Sequence, residues 1–314
     1  MEHEMKQRES AWYRRTPSRW RRQACLALAL AVSTTTGAGA VTMPWPALVD
    51  PASGQHHVGK VIWADLVTPD LAAARRFYGD LFGWSFRDVT PAGYAVAYTG
   101  SHPVAGIVQR AMPHGAPKQP AWLTFLAVRD VAVAKRAVLK GGGTLLAETR
   151  NYPNRGTQAV FADPQGAVFA VLASTSGDPP DVLVQPGQWI WSSLLARAAD
   201  ADAAFYQSVF GYDVYATPGA AGAEHLVLAS DDFARASANT FPADGGLHHA
   251  HWLNFIRVAS VAATAAKAAA LGGRVQVEPH VDRHGELIAV LEDPAGARFG
   301  VMEWSPGGSV EHAK

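Results

Sequence analysis

The sequence contains one pattern twice. Phe77 to Phe86, FYGDLFGWSF, returns 128 residues later as FYQSVFGYDV at Phe205 to Val214. Trp122-Leu123-Thr124-Phe125 returns 130 residues later as Trp252-Leu253-Asn254-Phe255, and Asp163-Pro164-Gln165-Gly166-Ala167 returns at the same spacing as Asp293-Pro294-Ala295-Gly296-Ala297. Three separated blocks held at spacings of 128 and 130 residues describe a duplicated domain, because solenoid repeats run about 20 to 50 residues. The halves read as 58–173 and 187–305, joined by a turn-rich linker at 174–186, with a flexible lead-in at 41–57 and a tail at 306–314.

Within each half a smaller grammar recurs: an extended run, a helix ending in Gly, then short extended segments. Val61 to Val67 is such a run, and Thr68-Pro69-Asp70 follows as an N-cap with Pro at the first helical position. Leu71, Ala74, Phe77, Tyr78 and Leu81 recur at helical spacing, and Gly83 is placed to end that helix. Trp122 to Val128 leads into a helix from Asp130 to Lys140, and Trp189 to Leu195 into the helix carrying Phe205 and Tyr206. Trp252 to Val258 leads into an Ala-rich helix from Ser260 to Leu271, closed by Gly272-Gly273. The pattern predicts an α+β fold of four βαβββ units, two per domain.

Composition narrows the function. Twenty-seven Lys plus Arg balance 27 Asp plus Glu, so the chain lacks the basic footprint of a nucleic-acid binder. Residues 1–40 read as a signal peptide. Arg14, Arg15, Arg19, Arg21 and Arg22 precede the short apolar run Ala24 to Val32, and a small-residue cleavage site ends at Ala40. Arg21-Arg22 also fits a twin-arginine address. The run is too short to span a bilayer, which takes about 20 residues. Removing the segment leaves 20 basic against 24 acidic residues and takes away Cys25, the one cysteine. A thiol-free product suits an oxidising compartment, periplasmic or secreted. The alternative is a cytoplasmic protein starting at Met43. Nucleophilic hydrolase chemistry has no support, since the chain beyond residue 40 has no Cys and no Gly-x-Ser-x-Gly elbow.

The helix signature Phe77-Tyr78-Gly79-Asp80-Leu81-Phe82-Gly83-Trp84, its second copy, and the turns Asp163-Pro164-Gln165-Gly166 and Asp293-Pro294-Ala295-Gly296 resemble the vicinal oxygen chelate superfamily. That superfamily includes glyoxalase I, bleomycin-resistance proteins and extradiol dioxygenases, and the resemblance covers about residues 58–304. It implies tandem domains, each of two modules whose sheet curls into a cup around a small molecule. Metal-dependent members draw His, Gln or Glu from the first, fourth, fifth and eighth strands. Carried onto this chain, three of those positions fall on Trp63, Leu123 and Ala170 in the first half and Trp191, Leu253 and Gly300 in the second. The fourth-strand stretches 104–108 and 235–239 hold no carboxylate. A divalent ion needs three or more N or O donors, so no metal or other cofactor is expected.

The expected function is therefore metal-independent binding of a small apolar or aromatic organic molecule. Trp63, Asp65, Tyr98 and Phe125 are the candidate ligand-binding residues of the first cup, and Trp191, Ser193, His225, His251 and Phe255 those of the second. Asp65 shares a strand face with Trp63, whose indole desolvates a carboxylate, and is the candidate general acid or base. Alternation places His249, His251, Leu253 and Phe255 on one face. A glyoxalase-like lyase or isomerase, or a dioxygenase- or hydroxylase-like enzyme, is the alternative, using acid/base residues or an unconventional divalent metal site from His249, His251, His280 and His284. A ligand-free structural pseudo-dimer is the third reading. Both a monomer containing that pseudo-dimer and a homodimer are compatible with the sequence.

Overall fold

In the computed structural model, residues 45–90, 93–111, 120–216, 225–241, 249–282 and 285–304 are described. The expectations for residues 1–40, Met43, His284 and the tail at 306–314 lie outside them. The first half runs β1 (Val61–Thr68), α1 (Leu71–Phe82), β2 (Ser85–Thr90), β3 (Tyr94–Thr99), β4 (His102–Gln109), β5 (Ala121–Ala127), α2 (Val131–Lys140), β6 (Thr144–Tyr152), β7 (Gly156–Ala162) and β8 (Val168–Ser174). The second repeats it with β9 (Trp189–Ala196), α3 (Ala199–Phe210), β10 (Asp213–Ala216), β11 (His225–Ser230), β12 (Phe233–Thr240), β13 (His251–Arg257), α4 (Val261–Ala270), β14 (Arg274–Val281), β15 (Leu287–Glu292) and β16 (Arg298–Met302). Among the described residues no helix is long and apolar enough to cross a membrane.

Short polar side chains start three of the four helices by accepting from otherwise free N–H groups. Asp70 accepts from Ala73, Asp130 from Ala132 and Val133, and Ser260 from Ala263. The first cap is therefore Asp70 and not Thr68, which stays in β1 opposite Gln109. Pro69 separates the two, and its ring disfavours a helical Thr68. Gly83 and Gly211 close α1 and α3 at φ +73 and +74, a left-handed conformation that glycine adopts without a Cβ penalty.

Each half forms one eight-stranded sheet, ordered β2-β3-β4-β1-β5-β8-β7-β6 in the first and β10-β11-β12-β9-β13-β16-β15-β14 in the second. The antiparallel pairs β1–β5 and β9–β13 join the two modules, so each cup is built within one half. A bulge in each opening strand, at Ile62 and at Ile190, turns two successive residues toward the cup. Ser174, expected to open the linker, ends β8. Residues 45–57, expected as a flexible lead-in, are held against the first domain: Leu48 and Val49 donate to Ser176 Oγ at 3.1 and 3.2 Å, and His57 N donates to Asp178 Oδ2 at 2.8 Å.

The outer faces of the two sheets pack on each other and on the helices, forming two cores shared between halves. One joins Val131, Phe161 and Phe169 to Phe205, Tyr206 and Trp252; the other joins Phe77, Tyr78 and Trp122 to Ile256, Val261 and Phe299. The repeated motifs meet there reciprocally. Tyr78 of the first helix donates to Asp293 Oδ2 of the second domain's turn at 3.1 Å, and Trp122 Nε1 donates to the Tyr78 hydroxyl at 3.1 Å. Tyr206 donates to Asp163 Oδ2 at 3.1 Å, and Trp252 Nε1 to the Tyr206 hydroxyl at 2.9 Å. Burial and the facing carboxylates push both tyrosines well above the usual phenol range, so the hydroxyls stay neutral donors. Tyr78→Phe or Tyr206→Phe leaves a buried carboxylate oxygen and an indole N–H unmet, and is expected to cost about 1–3 kcal/mol in urea unfolding.

Asp202, in the first turn of α3, is 1% exposed, and its Oδ2 has no hydrogen-bond partner. Burial, reinforced by the Asp163 carboxylate, raises it to about 7. A carboxyl raised in the folded state contributes most stability below its unfolded value of about 3.9, and that contribution is lost as pH climbs toward neutrality. Asp202→Asn is expected to flatten the melting temperature between pH 4 and pH 7 and to raise it at pH 8, read by thermal unfolding across that range.

Candidate functional site

The inner face of the first sheet is filled by its own side chains. Trp63 and Phe125 lie opposite each other across β1–β5, 2% and 0% exposed. Asp65, two residues along the same strand, accepts at Oδ1 from Trp63 Nε1 at 2.7 Å and from the Tyr94 hydroxyl at 2.8 Å. Burial raises the Asp65 carboxyl, while the Arg155 guanidinium and the two hydrogen bonds oppose that shift. Gly106, opposite Asp65 in β4, makes the arrangement fit, since a Cβ there would stand 2.0 Å from Asp65 Oδ1 and 2.1 Å from the Tyr94 oxygen. Asp65 is thus beside the indole as expected, but only 2% exposed.

The second cup is built on the same register with different chemistry. Trp191 and Phe255 again face each other, but Trp191 is only partly buried, as are Ile190, Leu195, Ile288 and Val290 around it. Ser193 stands where the first cup has Asp65, and its hydroxyl bonds that of Ser237 at 2.9 Å. Ser237 also accepts from Trp191 Nε1 at 3.2 Å and from Asn239 Nδ2 at 3.0 Å. Asn239 Oδ1 in turn contacts His225 Nδ1. A chain of polar groups therefore runs from the indole to an imidazole along one side of an apolar floor. Gly300 lets the Phe255 ring lie flat on the sheet, because a Cβ there would stand 2.1 Å from that ring.

The strands bring Trp63, Asp65 and Phe125 together in one cup, and Trp191, Ser193, His225 and Phe255 in the other. Tyr98 lies on the same face as Tyr94 but near the far end of β3, with the Arg87 guanidinium 4.4 Å above its ring. The pairing Tyr94↔Val108 matches His225↔Asn239, so the counterpart of His225 is Tyr94 rather than Tyr98. Alternation along Tyr94, Val96 and Tyr98 leaves both tyrosines open, and only the register separates them. Arg155 has no counterpart in the repeat, since Gly285 stands 130 residues on.

Among the described residues the histidines do not converge. His249 precedes β13 and is exposed, and its carbonyl pairs with His251 Nδ1 at 2.8 Å. His280 lies three strands away on β14, with Nδ1 on the Glu278 carbonyl at 2.9 Å. Among the described residues no group of three His, Cys, Asp or Glu side chains could hold a metal ion. The inner-face positions that a family metal would use carry Trp63, Leu123 and Ala170, and Trp191, Leu253 and Gly300, packed among apolar neighbours. These side chains do not fit a divalent cation, which takes imidazole or carboxylate donors.

Family comparisons match both halves. The model of the Glyoxalase/Bleomycin resistance protein/Dioxygenase superfamily matches residues 54–171, and that of a glyoxalase-like domain matches residues 192–302. The chain is 34% identical over 262 residues to a Mycobacterium bovis protein named as a glyoxylase (CFP32), covering 82% of this chain and 99% of that protein. It is 30% identical to the anthracycline biosynthesis protein DnrV of Streptomyces peucetius, covering 79% of this chain and 94% of the relative. Among solved structures, the Mn(II)-bound glyoxalase of Novosphingobium aromaticivorans superposes with a TM-score of 0.57 at 16% identity, over 79% of this chain and 83% of that one. The 2,3-dioxygenase LapB of a Pseudomonas superposes at 0.56 and 15%, over 80% and 94%. At such identities the structures share the fold, and chemistry must be read from the site.

Gly106→Ala is expected to break the Asp65–Tyr94 contact and lower stability by about 1–3 kcal/mol through overpacking, measured by denaturant unfolding.

Proposed function

This chain belongs to the Glyoxalase/Bleomycin resistance protein/Dioxygenase superfamily, and on that premise we propose that it binds a small apolar or aromatic organic molecule in its second cup without a metal. The observation that carries this reading is the contrast between cups. The first is closed by Trp63, Phe125 and Tyr94, whereas the second presents a partly exposed Trp191 on an apolar floor beside the Ser193–Ser237–Asn239–His225 chain. Apolar burial and ring stacking supply affinity, and the serine and imidazole groups orient a single polar substituent.

A second reading is favoured by that polar chain itself: an enzyme in which His225, oriented by Asn239, moves a proton to or from the bound molecule. The relatives named for a glyoxylase and for anthracycline biosynthesis support this reading. The charged and apolar pattern of residues 1–40 supports an exported location, checked by sequencing the N-terminus of the protein recovered outside the cytoplasm.

The test is a titration of tryptophan fluorescence with a naphthalene probe, before and after treatment with a chelator. Saturable quenching that survives the chelator and weakens about tenfold in Phe255→Ala, the loss of about 1.4 kcal/mol of ring contact, is the expected result. Retention of one equivalent of metal per chain after dialysis, with binding abolished by the chelator, would overturn it. Turnover of a ligand by the parent protein but not by His225→Gln would establish the second reading.

A further inference from the structure

Arg155 is a charged side chain sealed inside the first cup. It is 1% exposed, and its guanidinium carbon lies 3.9 Å above the Trp63 ring and 6.0 Å from the Phe125 ring. Nε and Nη1 are both buried without a hydrogen-bond partner. Asp65 does not occupy them within ion-pairing distance, and its Oδ1 is already shared by Trp63 and Tyr94. Open donors on a buried cation call for an anionic acceptor, the arrangement that makes the strongest hydrogen bonds.

Over the same cup lies a short strap, residues 45–49. The Trp45 ring centroid is 4.3 Å from that of Tyr94 and 4.7 Å from that of Tyr152, whose carbonyl accepts from Arg155 N at 3.1 Å. An indole thus fills an aromatic seat on the same cup that holds the unmet guanidinium. The strap's backbone is tied at Leu48 and Val49 to one hydroxyl, Ser176 Oγ. No such cover lies on the second cup among the described residues, where Trp191 stays partly exposed. Besides the apolar seats of Leu48 and Val49, the strap is held by ring contacts and this one acceptor, and its own ring shows the shape of what can replace it.

We propose that the first cup is a gated site for a small aromatic carboxylate, with Arg155 as the partner of the carboxylate and the seat of Trp45 as the place of the ring. The site is separate from the second cup and uses none of its residues. Ser176→Ala removes the tether without touching the cup, and benzoate and benzamide differ mainly in charge. Isothermal titration of the full chain is expected to show benzoate binding to Ser176→Ala about tenfold more tightly than to the parent, with no gain for benzamide. Adding Arg155→Lys cancels the gain, and Phe255→Ala, which alters only the second cup, leaves it intact. Three results overturn the proposal: no gain in Ser176→Ala and Trp45→Ala proteins that keep the parent's circular dichroism, an equal gain for benzamide, or a gain that survives Arg155→Lys. Where Arg155→Lys does not fold, the benzoate and benzamide comparison decides alone.

Discussion

The architecture depends on one interaction made twice: a tyrosine hydroxyl from the first helix of one domain donating to the turn aspartate of the other, with a tryptophan N–H donating to the same hydroxyl. Both carboxylates are also held by backbone N–H groups of their own turns, from Gln165 and Ala167 in one and from Ala295, Gly296 and Ala297 in the other. A buried polar group must find its partners or cost folding energy. Here the partners of each domain lie in the other, so neither half is complete alone. The same reciprocity extends to Trp84 donating to the Gly187 carbonyl at 2.8 Å and Tyr212 to the Gly59 carbonyl.

Because the outer faces and helices are consumed by this junction, the inner faces of both sheets are left to point away from it. That frees each cup to diverge. Asp65 and Ser193 occupy equivalent places, as do Tyr94 and His225, and the two sets make different interiors from one register. In the first, a carboxylate, a phenol, an indole and a guanidinium are packed out of water. In the second, hydroxyl, amide and imidazole groups line a partly exposed apolar floor. A pair of domains that shares its cores can therefore hold two different interiors on one register.

The duplication, the four modules and two of the helix starts, at Asp130 and Ser260, were legible because they depend on local spacing. Helical periodicity from Leu71 to Leu81 and Gly at position 83 describe a helix regardless of what packs on it. The purpose of the repeated motifs was not legible. Phe77-Tyr78 and the Asp-Pro turns read as fold markers, and their role in joining domains needs contacts spanning 215 and 43 residues. Arg155 sits in a turn with no repeated counterpart, and only the curl of the sheet carries it over Trp63. The lead-in read as flexible, yet Trp45 and Leu48 find apolar seats that the sequence does not reveal.

The sequence by itself determined the tandem-domain α+β organisation and its four modules. Those follow from repeat spacing and strand alternation, which are both local. Which cup is closed, which tyrosine meets Asp65, and where an unmet guanidinium lies were decided only by tertiary structure. Burial and hydrogen-bond satisfaction depend on neighbours from distant strands, and no local pattern records which of two tyrosines reaches a carboxylate two strands away.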